Sequence, residues 1–174
     1  LSQFYPDPFE PICLRSFDPK GLPKSLTASA QKLTVTINQL KSDPLLRERL
    51  KKINETQGLY FVVNAGGDKN DDITRINAIY CEMDMDVEPD DLHILKQHDM
   101  YDYDTPLSPS LRINTRKSVH AYWLPSEPIS NEDFLSLQQG LIKCFGSDPA
   151  ISNLARVMRI PFFNHVHYEN GYHY

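Results

Sequence analysis

Glu82, Asp84 and Asp86 stand at every second position of Cys81-Glu82-Met83-Asp84-Met85-Asp86, directly after the apolar stretch Ile76-Asn77-Ala78-Ile79-Tyr80. On a β-strand alternate side chains share a face. The three carboxylates then line one face, and Ile79, Cys81, Met83 and Met85 the other. A helix would bring Glu82 and Asp86 together and turn Asp84 away, and the β-branched and aromatic residues upstream favour the strand. A row of carboxylates repels itself and loses solvation. It persists most readily where a divalent cation compensates the charge, as Mg²⁺ or Mn²⁺ does with oxygen ligands. A plainer reading has the strand simply ending in a solvated acidic turn, since Glu88, Asp90 and Asp91 follow.

Other residues able to do chemistry come later in the chain. In Ser118-Val119-His120-Ala121-Tyr122-Trp123, alternation puts Ser118, His120 and Tyr122 on a face that suits a site, and Val119, Ala121 and Trp123 on one that suits a core. Asp148 precedes Pro149, and Arg156 and Arg159 follow three residues apart. Each has an ordinary structural reading: a satisfied strand histidine, a turn or cap aspartate, a solvated or ion-paired arginine face. Their order says more. An acid-x-acid pair on a strand precedes Ser-x-His on a strand, and an acid then stands eleven residues before the second of two arginines.

The elements that must position these groups are also legible. Leu59-Tyr60-Phe61-Val62-Val63-Asn64 predicts a short strand buried on both faces. Ala65-Gly66-Gly67-Asp68-Lys69-Asn70 turns the chain back toward the acidic strand, and it lacks the lysine-serine pair of a phosphate loop. Ser110 to Asn114 and Ser118 to Leu124 predict an antiparallel pair. Ser130-Asn131-Glu132-Asp133 has capping-box form and opens a helix with Phe134, Leu137, Leu141 and Phe145 inside and Gly146 at its end. A short helix is expected from Pro89 to about Gln97. Upstream, five prolines in the first 24 residues suggest an extended arm. Leu26, Ala30, Leu33, Ile37 and Leu40 predict an amphipathic helix, and Asp43-Pro44 caps a second one with Leu46, Leu50 and Ile53 inside.

With 174 residues, 40% hydrophobic and 24% charged, the chain has the makings of a globular domain. No apolar run reaches the ~18 residues of a membrane span. The start has neither Met nor a signal core, so the chain is expected to be cut from a longer cytoplasmic protein. Cys13, Cys81 and Cys144 are widely spaced with no C-x-x-C pair, so neither a disulfide framework nor a zinc site is expected. A net charge of -5 argues against coating nucleic acid by bulk attraction. It leaves room for an enzyme that holds nucleic acid locally, with acids concentrated in 68–104 and Arg112, Arg116, Lys117, Arg156 and Arg159 beyond them.

The ordered set resembles the archaeo-eukaryotic primase superfamily, including the primase-polymerases of plasmids, phages and CRISPR-linked elements. Glu82-Met83-Asp84 matches its acid-x-acid motif and Ser118-Val119-His120 its Ser-x-His motif, preceded by a basic residue at Arg116 or Lys117. Asp148 with Arg156 and Arg159 matches its third, and Arg-Val-Met-Arg-Ile-Pro looks like the Arg-x-x-Arg-Leu-Pro-Gly stretch of mobile-element members. The resemblance runs from about Gly58 to His165. It departs at Phe162, where glycine is expected, and in Phe163-Asn164-His165-Val166-His167, where a lysine often occurs. Residues 1–57 carry none of the motifs.

The resemblance implies an α+β fold. An N-terminal arm and helical layer (1–57) would support a mostly antiparallel, RNA-recognition-motif-like sheet (58–174), all in one catalytic domain. It implies a DNA primase or polymerase, a nucleotidyltransferase adding NTP or dNTP to a 3′-hydroxyl on a single-stranded DNA template with its primer. Two Mg²⁺ or Mn²⁺ ions roughly 3.5–4 Å apart would stabilise attacking and leaving oxygens. Glu82, Asp84 and Asp148 would hold them, with Asp86 as an outer ligand. Ser118, His120, Arg159 and Lys117 would take the triphosphate, and Arg112, Arg116 and Arg156 the template. A helicase or another replication or mobile-element domain is the expected companion.

Two rival readings stand beside this one. Asn164-His165-Val166-His167-Tyr168 has the His-hydrophobic-His pattern of rolling-circle replication endonucleases, with Tyr168 or Tyr172 as nucleophile, although such enzymes usually carry the tyrosine on a later helix. The other is a nucleic-acid-binding module without turnover, against which the intact Glu82, Asp84, Asp148 and Ser-x-His speak.

Overall fold

The computed structural model describes residues 1–84, 108–114, 118–169 and 171–173, with backbone alone for Met83, Asp84, Asn114 and His173. Asp86, Arg116, Lys117 and the helix expected from Pro89 lie outside the described residues. The chain divides into two compact units, Leu1–Thr74 with Ala155–Tyr174, and Arg75–Leu154. Its architecture is α+β, and every strand pairing is antiparallel.

The first unit holds a four-stranded sheet of order β2-β1-β3-β7. Its strands are β1 (Ile12–Phe17), β2 (Lys32–Val35), β3 (Gly58–Val62) and β7 (Val157–Arg159). As its apolar run requires, β3 lies inside the sheet, with Leu59, Phe61 and Val62 fully buried. Two helices follow β2: α1 (Ile37–Ser42) and α2 (Pro44–Asn54). Asp43 caps α2, accepting from the Leu45 and Leu46 amides, and Pro44 occupies its first turn. A small hairpin of β8 (His167–Tyr168) and β9 (Tyr172–His173) ends the unit.

The expected helix through Leu26 and Leu40 is replaced by β2 followed by the short α1. Lys32–Val35 alternates exposed and buried, and the β-branched run Thr34-Val35-Thr36 resists helical packing. Thr36 then starts α1 with a capping box closed by Gln39. The proline-rich arm is also more deeply integrated than expected. Its β1 lies within the sheet, Phe4 and Tyr5 are buried, and the Tyr5 hydroxyl donates to Val62 O (2.9 Å). The glycine pair serves the turn. A Cβ on Gly66 (φ 125°) would come within 2.1 Å of the Asp72 carbonyl oxygen. Asp68 beyond it is held by Arg15 (2.9 Å) and by Lys32, and the Lys32 hydrogen bond keeps its carboxyl below the ordinary range.

Among its described residues the second unit has a three-stranded sheet of order β4-β6-β5 and one long helix. Its elements are β4 (Ile79–Asp84), β5 (Leu111–Asn114), β6 (Ser118–Trp123) and α3 (Asn131–Phe145). Ser130 Oγ accepts from the Asp133 amide at the start of α3, and Gly146 closes it at φ 62°. Phe134 and Leu141 are buried as expected, but Leu137 is exposed and Gln138 is fully buried in its place. β7, which carries Arg159, pairs with β3, and the Ser-x-His strand belongs to the other sheet.

Candidate functional site

In the antiparallel register of β4 and β6, Glu82 lies opposite His120 and Asp84 opposite Ser118. Cross-strand partners share a face, so Glu82 and His120 meet there, as alternation predicted for each strand alone. His120 Nε2 is 3.4 Å from Glu82 Oε1 and 3.3 Å from Ser118 Oγ. The imidazole is 5% exposed, whereas the Glu82 side chain keeps 28% of its surface. A buried ring thus stands behind a carboxylate open to solvent. Among the described residues nothing pairs with buried His120 Nδ1, the kind of orphaned group that a bound ligand, ion or water commonly satisfies.

Packing on both faces holds this arrangement. Val119 and Ala121 are buried, with Trp123 and Phe145 against them, and the Trp123 and Phe145 rings stack at 5.6 Å. On the site face Tyr80 and Tyr122 are fully buried with rings 6.3 Å apart. Burial, then the neighbouring Glu82, pushes the Tyr122 phenol well above its ordinary value.

Two side chains that the motif pattern does not single out hold β4 in place. Among the described residues β4 is an edge strand, and an edge exposes backbone groups that no neighbouring strand pairs. Gln138 of α3 satisfies both groups of Tyr80: its Nε2 donates to Tyr80 O (2.6 Å), and its Oε1 accepts from Tyr80 N (3.1 Å). The hydroxyl of buried Ser147 does the same for Glu82, accepting from its N–H (3.0 Å) and donating to its carbonyl (2.7 Å). They bond this edge as a neighbouring strand would. A signal existed for Gln138: it falls on the Phe134, Leu141, Phe145 stripe, where a polar residue needs buried partners. Ser147 had none beyond its place between a helix-ending glycine and Asp148.

Ser147 also fastens the segment carrying Asp148 to the strand carrying Glu82. Further on, the Tyr80 hydroxyl donates to Asn153 O (2.9 Å). Asp148 is exposed and caps a 3-10 turn at Pro149–Ile151, accepting from the Ala150 amide (2.8 Å). Its ordinary reading as a cap is thus correct, and its carboxylate still reaches solvent. Glu82 and Asp148 are oxygen donors suited to Mg²⁺ or Mn²⁺. Among the described residues no three of His, Cys, Asp and Glu cluster closely enough to hold a metal, and the Asp84 side chain is not among them.

The remaining described candidates lie on other elements. Arg112 on β5 pairs with Ala121, so it takes the face away from His120, which Ile113 opposes instead. Arg156 and Arg159 belong to the first unit, where Arg159 lies opposite Tyr60 with its guanidinium 5.7 Å from the ring centroid. His165 and His167 are there too, with ring centroids 4.0 Å apart. Among the described residues no helix is long and apolar enough to cross a membrane.

No family model matches the chain, and no curated protein matches it. Solved structures do. The AEP domain of the cyanophage S-2L primase-polymerase is similar with a TM-score of 0.67 at 24% identity, over 91% of this chain and 77% of that one. The catalytic domain of primase RepB′, in a complex with initiator DNA, gives 0.58 at 15% identity, over 88% of this chain and 69% of that one. A further RepB′ structure gives 0.55 at 15% identity, over 88% of this chain and 45% of that one. The chain has the fold shared by these primase-polymerase and primase catalytic domains.

Proposed function

We propose that the chain is a template-directed nucleotidyltransferase, a DNA primase or polymerase that adds NTP or dNTP to a 3′-hydroxyl on single-stranded DNA. The observation that carries this reading is the meeting of Glu82, Ser118 and His120 on one sheet face, with the Asp148 segment fastened to the Glu82 backbone by Ser147. Similarity of fold to primase catalytic domains supports it. Glu82, Asp84 and Asp148 would hold two Mg²⁺ or Mn²⁺ ions. When bound, such ions neutralise charge on the attacking and leaving oxygens of an in-line displacement. His120 and Ser118 would bind the triphosphate, the imidazole held at fixed depth by the Val119, Ala121 and Trp123 packing behind it. Orientation of this kind and charge complementarity are the protein's main contributions to phosphoryl transfer.

The test is extension of a primed single-stranded template with Mn²⁺ or Mg²⁺ beside the Asp84→Ala variant, which is expected to be inactive yet folded. The close pair of His165 and His167 is what favours the endonuclease reading. Alanine at both positions should leave incorporation unchanged. A covalent protein–DNA adduct lost in Tyr168→Phe would replace the polymerase reading with that one.

A further inference from the structure

Phe162 is a bulky residue at φ 69°, in the left-handed region that favours glycine. It is also 105% exposed, so burial of its own ring does not offset the strain. The chain on either side of it is fixed. Ile160 N donates to Leu59 O (3.1 Å), and Asn54 of α2 clasps the backbone of Asn164 by accepting from its N–H (2.6 Å) and donating to its carbonyl (3.0 Å). A bulky aromatic residue held in this backbone conformation is an outlier from which a function can be argued.

Phe162 lines a groove of about 530 Å³ within the first unit. Buried Ile37, Leu50 and Ile160 line it, together with Phe163. Lys41, Arg47 and Lys51 line it from α1 and α2, and no Asp or Glu among the described residues does. Arg47 is pinned over the end of α1 by donating to Leu40 O (3.2 Å) and Lys41 O (2.6 Å), whereas Lys51 pairs with the exposed Glu48 (2.7 Å). The chain as a whole is acidic, so a groove whose charged lining side chains are all basic is a local reversal of sign.

We infer that this groove is a docking site for an acidic peptide segment of a partner protein, with one large apolar side chain inserted over the aliphatic lining against Phe162. The volume suits one or two side chains, and the cations complement flanking carboxylates. A nucleic-acid strand fits less well. Its affinity comes from a run of phosphate contacts, whereas most of this lining is apolar, from Leu14, Ile37, Leu40, Leu50, Ile160 and Phe163. The inference does not depend on the proposed activity.

The test is fluorescence polarisation with labelled acidic octapeptides carrying a single Leu, Ile, Phe or Trp, an alanine-anchored control, and a labelled oligo-dT of similar length. At least one anchored peptide should bind saturably and weaken with salt. Phe162→Gly and Lys41→Glu should each weaken it about tenfold or more. Phe162→Gly should melt no lower than the wild type, because glycine relieves the left-handed strain, so lost binding cannot be ascribed to lost fold. The inference is overturned if no anchored peptide binds better than the alanine control. It is equally overturned if Phe162→Gly binds as tightly as the wild type, or if oligo-dT alone binds and is released by Phe162→Gly.

Discussion

His120 does its proposed work through position. Its Nε2 is within 3.4 Å of Glu82 Oε1 and 3.3 Å of Ser118 Oγ, and its ring is buried. If it binds triphosphate, which is common to all nucleotides, losing it should weaken every substrate alike. One charge-assisted contact in a partly desolvated site is worth ~1.5–3 kcal/mol, about ten- to a hundredfold in affinity. His120→Ala is therefore expected to raise the apparent KM for all four nucleotides by similar factors, measured by steady-state incorporation of each in turn. A base-selective change would remove His120 from the triphosphate. Behind the site, burial pushes the Cys81 thiol from an ordinary 9.0 up to about 12, with the neighbouring Cys144 adding to the rise and the Ser147 hydrogen bond opposing it. Below pH 9 the thiol is protonated whether the chain is folded or not. Above it the unfolded chain ionises while the folded one keeps its proton, so stability falls between pH 9 and 12, on the order of 1 kcal/mol per pH unit. Urea unfolding at pH 8, 9 and 10 should show that decline, and Cys81→Ala should flatten it.

At the level of elements, the site depends on an edge strand that side chains complete. Truncating Gln138 to alanine removes both of its hydrogen bonds to the buried Tyr80 backbone, at about 1–3 kcal/mol each. Ser147→Ala removes the same pair of bonds from Glu82. Both variants should lose stability in urea titrations, but they should differ in turnover. Ser147→Ala loosens Glu82 and the Asp148 segment together and should cut kcat more than its loss of stability explains. Gln138→Ala acts one residue pair further from the carboxylates and should leave kcat close to that of the wild type once folded. Equal effects on kcat would mean that the serine is only a structural contact. These side chains also mark the limit of what periodicity reveals. Alternation placed Ser118 and His120 on one face and Glu82 on its own strand's face, and each was right. It could not pair the strands, because register depends on contacts between segments. Nor could it find Gln138, whose burial follows from a strand edge that no local pattern announces.

Across the whole molecule, the central strands, the Asp43 and Ser130 caps and the Gly146 stop were legible because each rests on local chemistry that tertiary contacts reinforce. The amino-terminal region was read less well. Its prolines suggested a surface arm, yet Ile12 and Leu14 are fully buried in a strand inside the sheet. A helix-like spacing from Leu26 to Leu40 lost to the β-branched residues at 34–36. The division of the strands into two sheets was not legible either, since Val157–Arg159 carries the same alternation whichever neighbour it pairs with. Similarity of fold extends through that amino-terminal region, for it covers 91% of the chain, whereas the motifs begin only near Gly58. The net charge of -5 gives nucleic acid little long-range attraction, so association with a template should be brief and sensitive to salt. The most direct measurement of the central claim is extension of a primed homopolymeric DNA template with the four nucleotides supplied singly, in Mn²⁺ or Mg²⁺, by the wild type and by Glu82→Gln. The account predicts that the wild type incorporates only the nucleotide complementary to the template and stops when the metal is chelated, and that Glu82→Gln, though folded, is inactive. Incorporation that ignores the template, or that survives equally in Glu82→Gln, would contradict it, as would a well-folded wild type that incorporates nothing.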